Sequence, residues 1–225
     1  MMPMRHKPWT DLLLLPIMGV FLWLALPGIH YGLPDQSHFY SYDCDEIMWL
    51  IGVQTATQTG HGISNPHMLQ PSGYLWMYLT SLKVAEGVGF FKVDPVPPGQ
   101  LRSRILFSRL FLAGRYLQIL LALVLLNIAW EFCRRLYGVP VALLTTGLLA
   151  LCPGLVATSH FSYSNIPIAT LSLLAFAIML WDLEQPHEGR KWLRLSALLA
   201  GMACGTKYSA FPLALPLFYC SWAKS

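Results

Sequence analysis

The stretch LYGVPVALLTTGLLALCPGLVATSHFSYSNIPIATLSLLAFAIMLW, from Leu136 to Trp181, contains no Asp, Glu, Lys or Arg. A membrane-crossing helix needs about 20 predominantly apolar residues, so this stretch suffices for two. The polar segment Ser159-His160-Phe161-Ser162-Tyr163-Ser164-Asn165 then forms the turn between them. The reading is a transmembrane helical hairpin, with spans at about 139–158 and 166–182. Composition extends it to the whole chain: at 55% hydrophobic and 12% charged, the protein is far more apolar than a soluble globular domain. The expected fold is all-α, a polytopic transmembrane helical bundle.

Working outward, Tyr116 to Trp130 is uncharged, closed by Arg115 at one end and by Glu131, Arg134 and Arg135 at the other. This predicts a span at about 115–133, with basic side chains snorkelling from its ends. Towards the C-terminus, Leu195 to Thr206 and Tyr208 to Trp222 flank Lys207. They predict two spans, about 192–206 and 208–223, meeting near Gly205-Thr206-Lys207-Tyr208. Towards the N-terminus, Leu12 to Pro34 is uncharged and follows Arg5 and Lys7. It is longer than a secretory apolar core and no small-x-small cleavage site follows, which favours an uncleaved span at about 12–31.

With the N-terminus inside, the Arg134-Arg135 loop and the Arg190-Lys191-Arg194 loop both fall inside, as the positive-inside rule requires. Counting Ser72 to Phe91 as a span would move both outside. That segment carries Lys83 and Glu86 and reads as an interfacial helix in a first outer loop, about 34–114.

The outer loop holds the chain's most informative polar cluster, Ser41-Tyr42-Asp43-Cys44-Asp45-Glu46, just beyond the first span. Acidic groups so close to a bilayer mark a functional site or a pairing. Asp43 or Asp45 also suits the N-cap of a helix beginning at Glu46-Ile47-Met48-Trp49-Leu50, and a cap and a general base are compatible roles. The loop's Lys83, Lys92, Arg102, Arg104, Arg109 and Arg115 suit lipid headgroups or a lipid-carried phosphate, and taken alone these charges favour headgroup anchoring.

Other residue classes carry less. The basic residues form no face with interleaved aromatics, which argues against nucleic acid. Cys133, Cys152, Cys204 and Cys220 lie in or beside apolar runs without metal spacing and read as packing residues. His38, His61, His67 and His160 have no ligand spacing, so no metal is expected. Trp23, Tyr31, Trp130 and Trp222 fall near span ends, as interfacial belts do.

The order of these features resembles the C-type glycosyltransferase superfamily, in the branch that includes protein O-mannosyltransferases and lipid A aminoarabinose transferases. The residues that carry the resemblance are Asp45-Glu46 after the first span, Gln70-Pro71-Ser72-Gly73-Tyr74-Leu75-Trp76, Gly114-Arg115 opening the second span, Arg134-Arg135-Leu136-Tyr137-Gly138 closing it, and Gly201 to Tyr208 with its Gly-Thr-Lys-Tyr ending. The resemblance implies a polyprenyl-phosphate sugar donor and transfer to an acceptor hydroxyl of a protein, lipid or glycan. It places the reaction on the outer or lumenal side of a plasma membrane or endoplasmic reticulum. It implies Asp45 as general base, with Asp43 two positions away as the other acid, and Glu46 orienting the base or the acceptor. Arg115 and Lys207 become the residues for the donor phosphate. No metal or other cofactor enters this scheme.

Two departures from the pattern stand out. Asn165 occupies a position where many relatives carry an acid, and an amide cannot take a proton. The chain also stops at Lys224-Ser225, after its sixth predicted span, so it reads as the N-terminal part of a transferase, truncated or encoded as a fragment. The rival reading is a non-catalytic fragment or a transporter or flippase subunit for lipid-linked saccharides. Transporters place charges at mid-membrane on broken helices and show internal repeats, whereas these charges gather at one interface and no repeat is seen.

Overall fold

A computed structural model of the chain describes residues 8–33, 46, 47, 49, 51–53, 73–89, 104–184 and 191–223. Those residues form an all-α fold, with no strand among them. A 3₁₀ turn, Pro8–Leu13, leads into α1 (Leu14–Ala25), and a second, Pro27–His30, closes it. Glu46, Ile47, Trp49 and residues 51–53 are helical. Then follow α2 (Gly73–Gly87), α3 (Arg104–Tyr137), α4 (Val139–Ala150), α5 (Pro153–Ser159), α6 (Asn165–Glu184) and α7 (Lys191–Thr206). A 3₁₀ turn, Tyr208–Leu213, joins α7 to α8 (Ala214–Ala223).

Among the described residues, Thr10–His30, Ser108–Tyr137 and Asn165–Leu183 are each long and apolar enough to cross a membrane. Val139–Ala150 and Pro153–Ser159 pass the same test together, bent by 53° at the break between them. The segment expected as a span at about 139–158 therefore forms two helices, broken at Leu151-Cys152. Pro153 lacks the N–H that would continue the helical ladder, and Cys152 is extended before it (φ −63°, ψ 117°). Helix α7 has 16 residues, and Tyr208–Leu213 with α8 makes a second short stretch. They meet at Lys207, which is extended (φ −158°, ψ 134°), where the sequence predicts the junction.

Helix α3 differs from expectation. It runs for 34 residues, about 50 Å at 1.5 Å per residue, so Gly114-Arg115 lies inside it rather than opening it. Charge at Arg115 sets the predicted boundary, but a charge ends a span only if it must reach water, and this one is paired in the interior.

The helices run between two poles, with α3 antiparallel to α1 and parallel to α6, and α6 antiparallel to α7. At one, Arg134 Nε of α3 lies 3.9 Å from Asp11 beside α1, and the Arg135 guanidinium stacks over Trp181 near the end of α6, at 5.2 Å from its ring centroid. Trp181 stacks in turn on Trp192 at the start of α7. The other pole gathers the end of α1, Glu46, the start of α2, the Arg115 region of α3, the α5–α6 turn and the end of α7. Between the poles α3 packs against α1, α4 and α6, and α6 against α7. Phe21, Ala25, Ile119, Ala122, Leu126, Ala150 and Ile166 form one buried core. Trp130 corrects an expectation: it is buried with Leu14, Cys133 and Ala142 rather than sitting in an interfacial belt. Trp23, Tyr31 and Trp222 are exposed. Of the cysteines read as packing residues, Cys133 and Cys220 are buried, Cys204 is half-buried and Cys152 is exposed.

Candidate functional site

The second pole is built around one ion pair. Arg115 donates from Nε to Glu46 Oε1 and from Nη2 to Glu46 Oε2, each at 2.8 Å, and both side chains are fully buried. Its Nη1 donates to the carbonyls of Ile29 and Tyr31, both at 2.7 Å. Four of the five guanidinium N–H groups are thus committed. The guanidinium also lies over the Phe161 ring, 5.5 Å from its centroid. Planar bidentate pairing of this kind is what arginine does and lysine cannot. A buried carboxylate is tolerable because its remaining lone pairs are met, and Glu46 Oε1 also accepts the Ser162 backbone N–H at 2.9 Å.

From Ser162 a chain of hydrogen bonds extends to α2. Gln118 Nε2 donates to Tyr74 Oη at 2.7 Å and to the Tyr163 carbonyl at 2.6 Å. Since a carbonyl only accepts, the amide orientation is fixed, and Tyr74 Oη also shares a hydrogen bond with Ser162 Oγ at 2.6 Å, in which either hydroxyl can donate. Tyr78 donates to the Leu110 carbonyl of α3. Burial pushes both phenols above the ordinary tyrosine value. The hydrogen bonds of Tyr74 oppose that shift, while the neighbouring Tyr74 and Glu46 add to it at Tyr78. Trp49 packs edge-on against Tyr74, with ring centroids 4.8 Å apart.

Close backbone approach requires glycine twice here. A Cβ on Gly73 would stand 2.5 Å from the Gly205 carbonyl oxygen, so the start of α2 rests directly on the end of α7. One on Gly114 would overlap Ser162 Oγ and the Tyr78 ring. Two residues beyond Gly205, Lys207 donates from Nζ to Asn165 Oδ1, the first residue of α6, at 2.8 Å.

The structure therefore brings Glu46 and Arg115 into direct contact, and links Lys207 to the same pole through Gly205, Gly73, Tyr74 and Ser162. Asp43 and Asp45 lie outside the described residues. The sequence marks Tyr74 only as part of the 70–76 resemblance, and gives Ser162, Tyr78 and Gln118 no role. A lone amide in an apolar helix, Gln118, was the available signal, and the turn serines read only as polar loop.

An all-α bundle with membrane-length helices and a buried polar cluster at one pole defines a helical membrane protein. The chain belongs to the dolichyl-phosphate-mannose-protein mannosyltransferase family, whose model matches residues 103–224, more than half of its length. No curated protein and no solved structure matches it.

Proposed function

We propose that the protein serves a membrane glycosyltransferase that moves a sugar from a polyprenyl-phosphate donor to an acceptor hydroxyl on the outer or lumenal side. In this reading Asp45 is the general base. The acceptor oxygen attacks the anomeric carbon, its proton passes to Asp45, and the bond from that carbon to the phosphate oxygen breaks. Polyprenyl phosphate leaves with the electron pair, and a cation at the interface stabilises it. Glu46, clamped by Arg115, positions the chain beside the base. Arg115 itself has one Nη2 N–H left for a phosphate, so Lys207 is the principal cation in this scheme.

The observation that supports this reading most is the bidentate Glu46–Arg115 pair at zero exposure, next in sequence to Asp45 and reaching into the family-matched segment. A loop held only for folding gains little from a buried ion pair, because desolvation offsets the Coulombic attraction. Precise orientation of a neighbouring group is a better return for it.

The test is sugar transfer in membranes carrying the protein, supplied with a polyprenyl-phosphate mannose. Asp45→Asn is expected to abolish transfer while donor binding persists, since asparagine keeps the shape and the cap but accepts no proton. The loss should be roughly 10²- to 10⁴-fold. Inactive Asp43→Asn with near-normal Asp45→Asn would move the base by two positions. Near-normal turnover in both would reject the mechanism and leave the acids as a helix cap.

A further inference from the structure

We infer that Asn165 is a positioning residue for the donor phosphate: it holds the Lys207 ammonium in place without cancelling its charge. The inference rests on the reading of Lys207 as a phosphate-binding cation. Lys207 is half-buried at the extended junction after α7, and its backbone N–H closes the last turn of that helix on the Ala203 carbonyl at 2.9 Å. A cation there is favoured by the negative end of the helix dipole. Its Nζ is fixed by the exposed Asn165 Oδ1. An amide oxygen accepts one N–H and carries no formal charge, leaving two N–H groups and the full positive charge for another acceptor.

Three arginines make the contrast. Arg115 is neutralised by Glu46, and Arg134 and Arg135 share Glu131 at 2.6 and 2.5 Å. Among the described residues no carboxylate pairs with Lys207. A lysine tethered by a neutral group beside a membrane-length helix suits a phosphate monoester or diester arriving within the bilayer interface. An aspartate at position 165 would fill the same space and make the same bond, but it would compete with that phosphate for the charge.

The experiment measures binding of a polyprenyl monophosphate, against the matching uncharged polyprenol, to the full chain in nanodiscs of zwitterionic lipid. The parent protein is expected to prefer the phosphate, and Lys207→Gln to lose most of that preference. Asn165→Asp should weaken phosphate binding about fivefold, the weight of one exposed charge contact, and Asn165→Gln should stay within about twofold. Asn165 is exposed, so the thermal midpoint should hold in each variant. Should Asn165→Asp lower it, Asn165→Ala takes its place and must still bind better than Lys207→Gln. Parent-like binding by Asn165→Asp alongside weakened Lys207→Gln would overturn the inference and leave the reading of Lys207 standing. Parent-like binding by Lys207→Gln would remove both. Equal competition by phosphatidylglycerol and by polyprenyl phosphate would make Lys207 a general headgroup anchor and also overturn the inference.

Discussion

At the scale of single residues, Glu46 and Arg115 have consequences that reach beyond the chemistry. Removing one partner of a buried, hydrogen-bonded ion pair strands the other charge, which costs about 3–5 kcal/mol. Glu46→Ala and Arg115→Ala should each lower thermal stability in detergent by that amount. Glu46→Leu with Arg115→Met should recover much of the loss, because it removes both charges together. If the double variant also keeps sugar transfer, the pair is a fold element only. A double variant that is stable but inactive would separate positioning from stability. Both residues stood out in the sequence as candidate site residues, and their partnership did not. They stand 69 positions apart, and periodicity reports faces within an element, never which faces meet. The same limit applies to Lys207 and Asn165, where the amide was visible but its bond to Lys207 was not.

At the scale of elements, the contact between α2 and α7 is the most exposed to a small change. Gly73→Ala places a methyl 2.5 Å from a backbone oxygen, which no rotamer change relieves, so a cost of about 1–3 kcal/mol is expected. Gly19→Ala in α1, with nothing within 4 Å of its Cβ, is the control and should gain helix propensity instead. Alkaline pH tests the same region through Tyr74 and Tyr78. Their folded values lie above the unfolded value of 10.0. Their contribution to stability is therefore complete below about pH 10, and it falls as pH rises beyond it, because the unfolded chain gives up those protons first. Thermal midpoints measured from pH 8 to 11 should show a plateau and then a decline, and Tyr74→Phe should make the decline shallower. A helix within Ser72 to Phe91 was legible from its apolar and aromatic content, as was the junction at Lys207. The break before Pro153 was available from proline chemistry, yet the uncharged run was read only as a span. The interior placement of Arg115 in α3 was hidden for a different reason, since charge patterning locates span ends only while charges seek water.

At the scale of the whole molecule, the helices separate two poles with different electrostatics. The Arg134 pole carries Glu131, Arg134, Arg135 and Asp11, and the other carries the buried Glu46–Arg115 pair and the amide-held Lys207. Lys and Arg near span ends stay on the cytoplasmic side, so the Arg134 pole should face inward and the Glu46 pole outward. Tyr137 and Tyr208 are exposed, one at each pole, and serve as reporters. In a cysteine-free background, Tyr137→Cys should react with an impermeant thiol reagent only from the inside, and Tyr208→Cys only from the outside. Reaction of both from one side would mean that the poles do not lie across a bilayer. A complete reversal would preserve the fold but turn the acidic segment inward, and the outer-side transfer proposed above would have to be abandoned even if Asp45 proved essential.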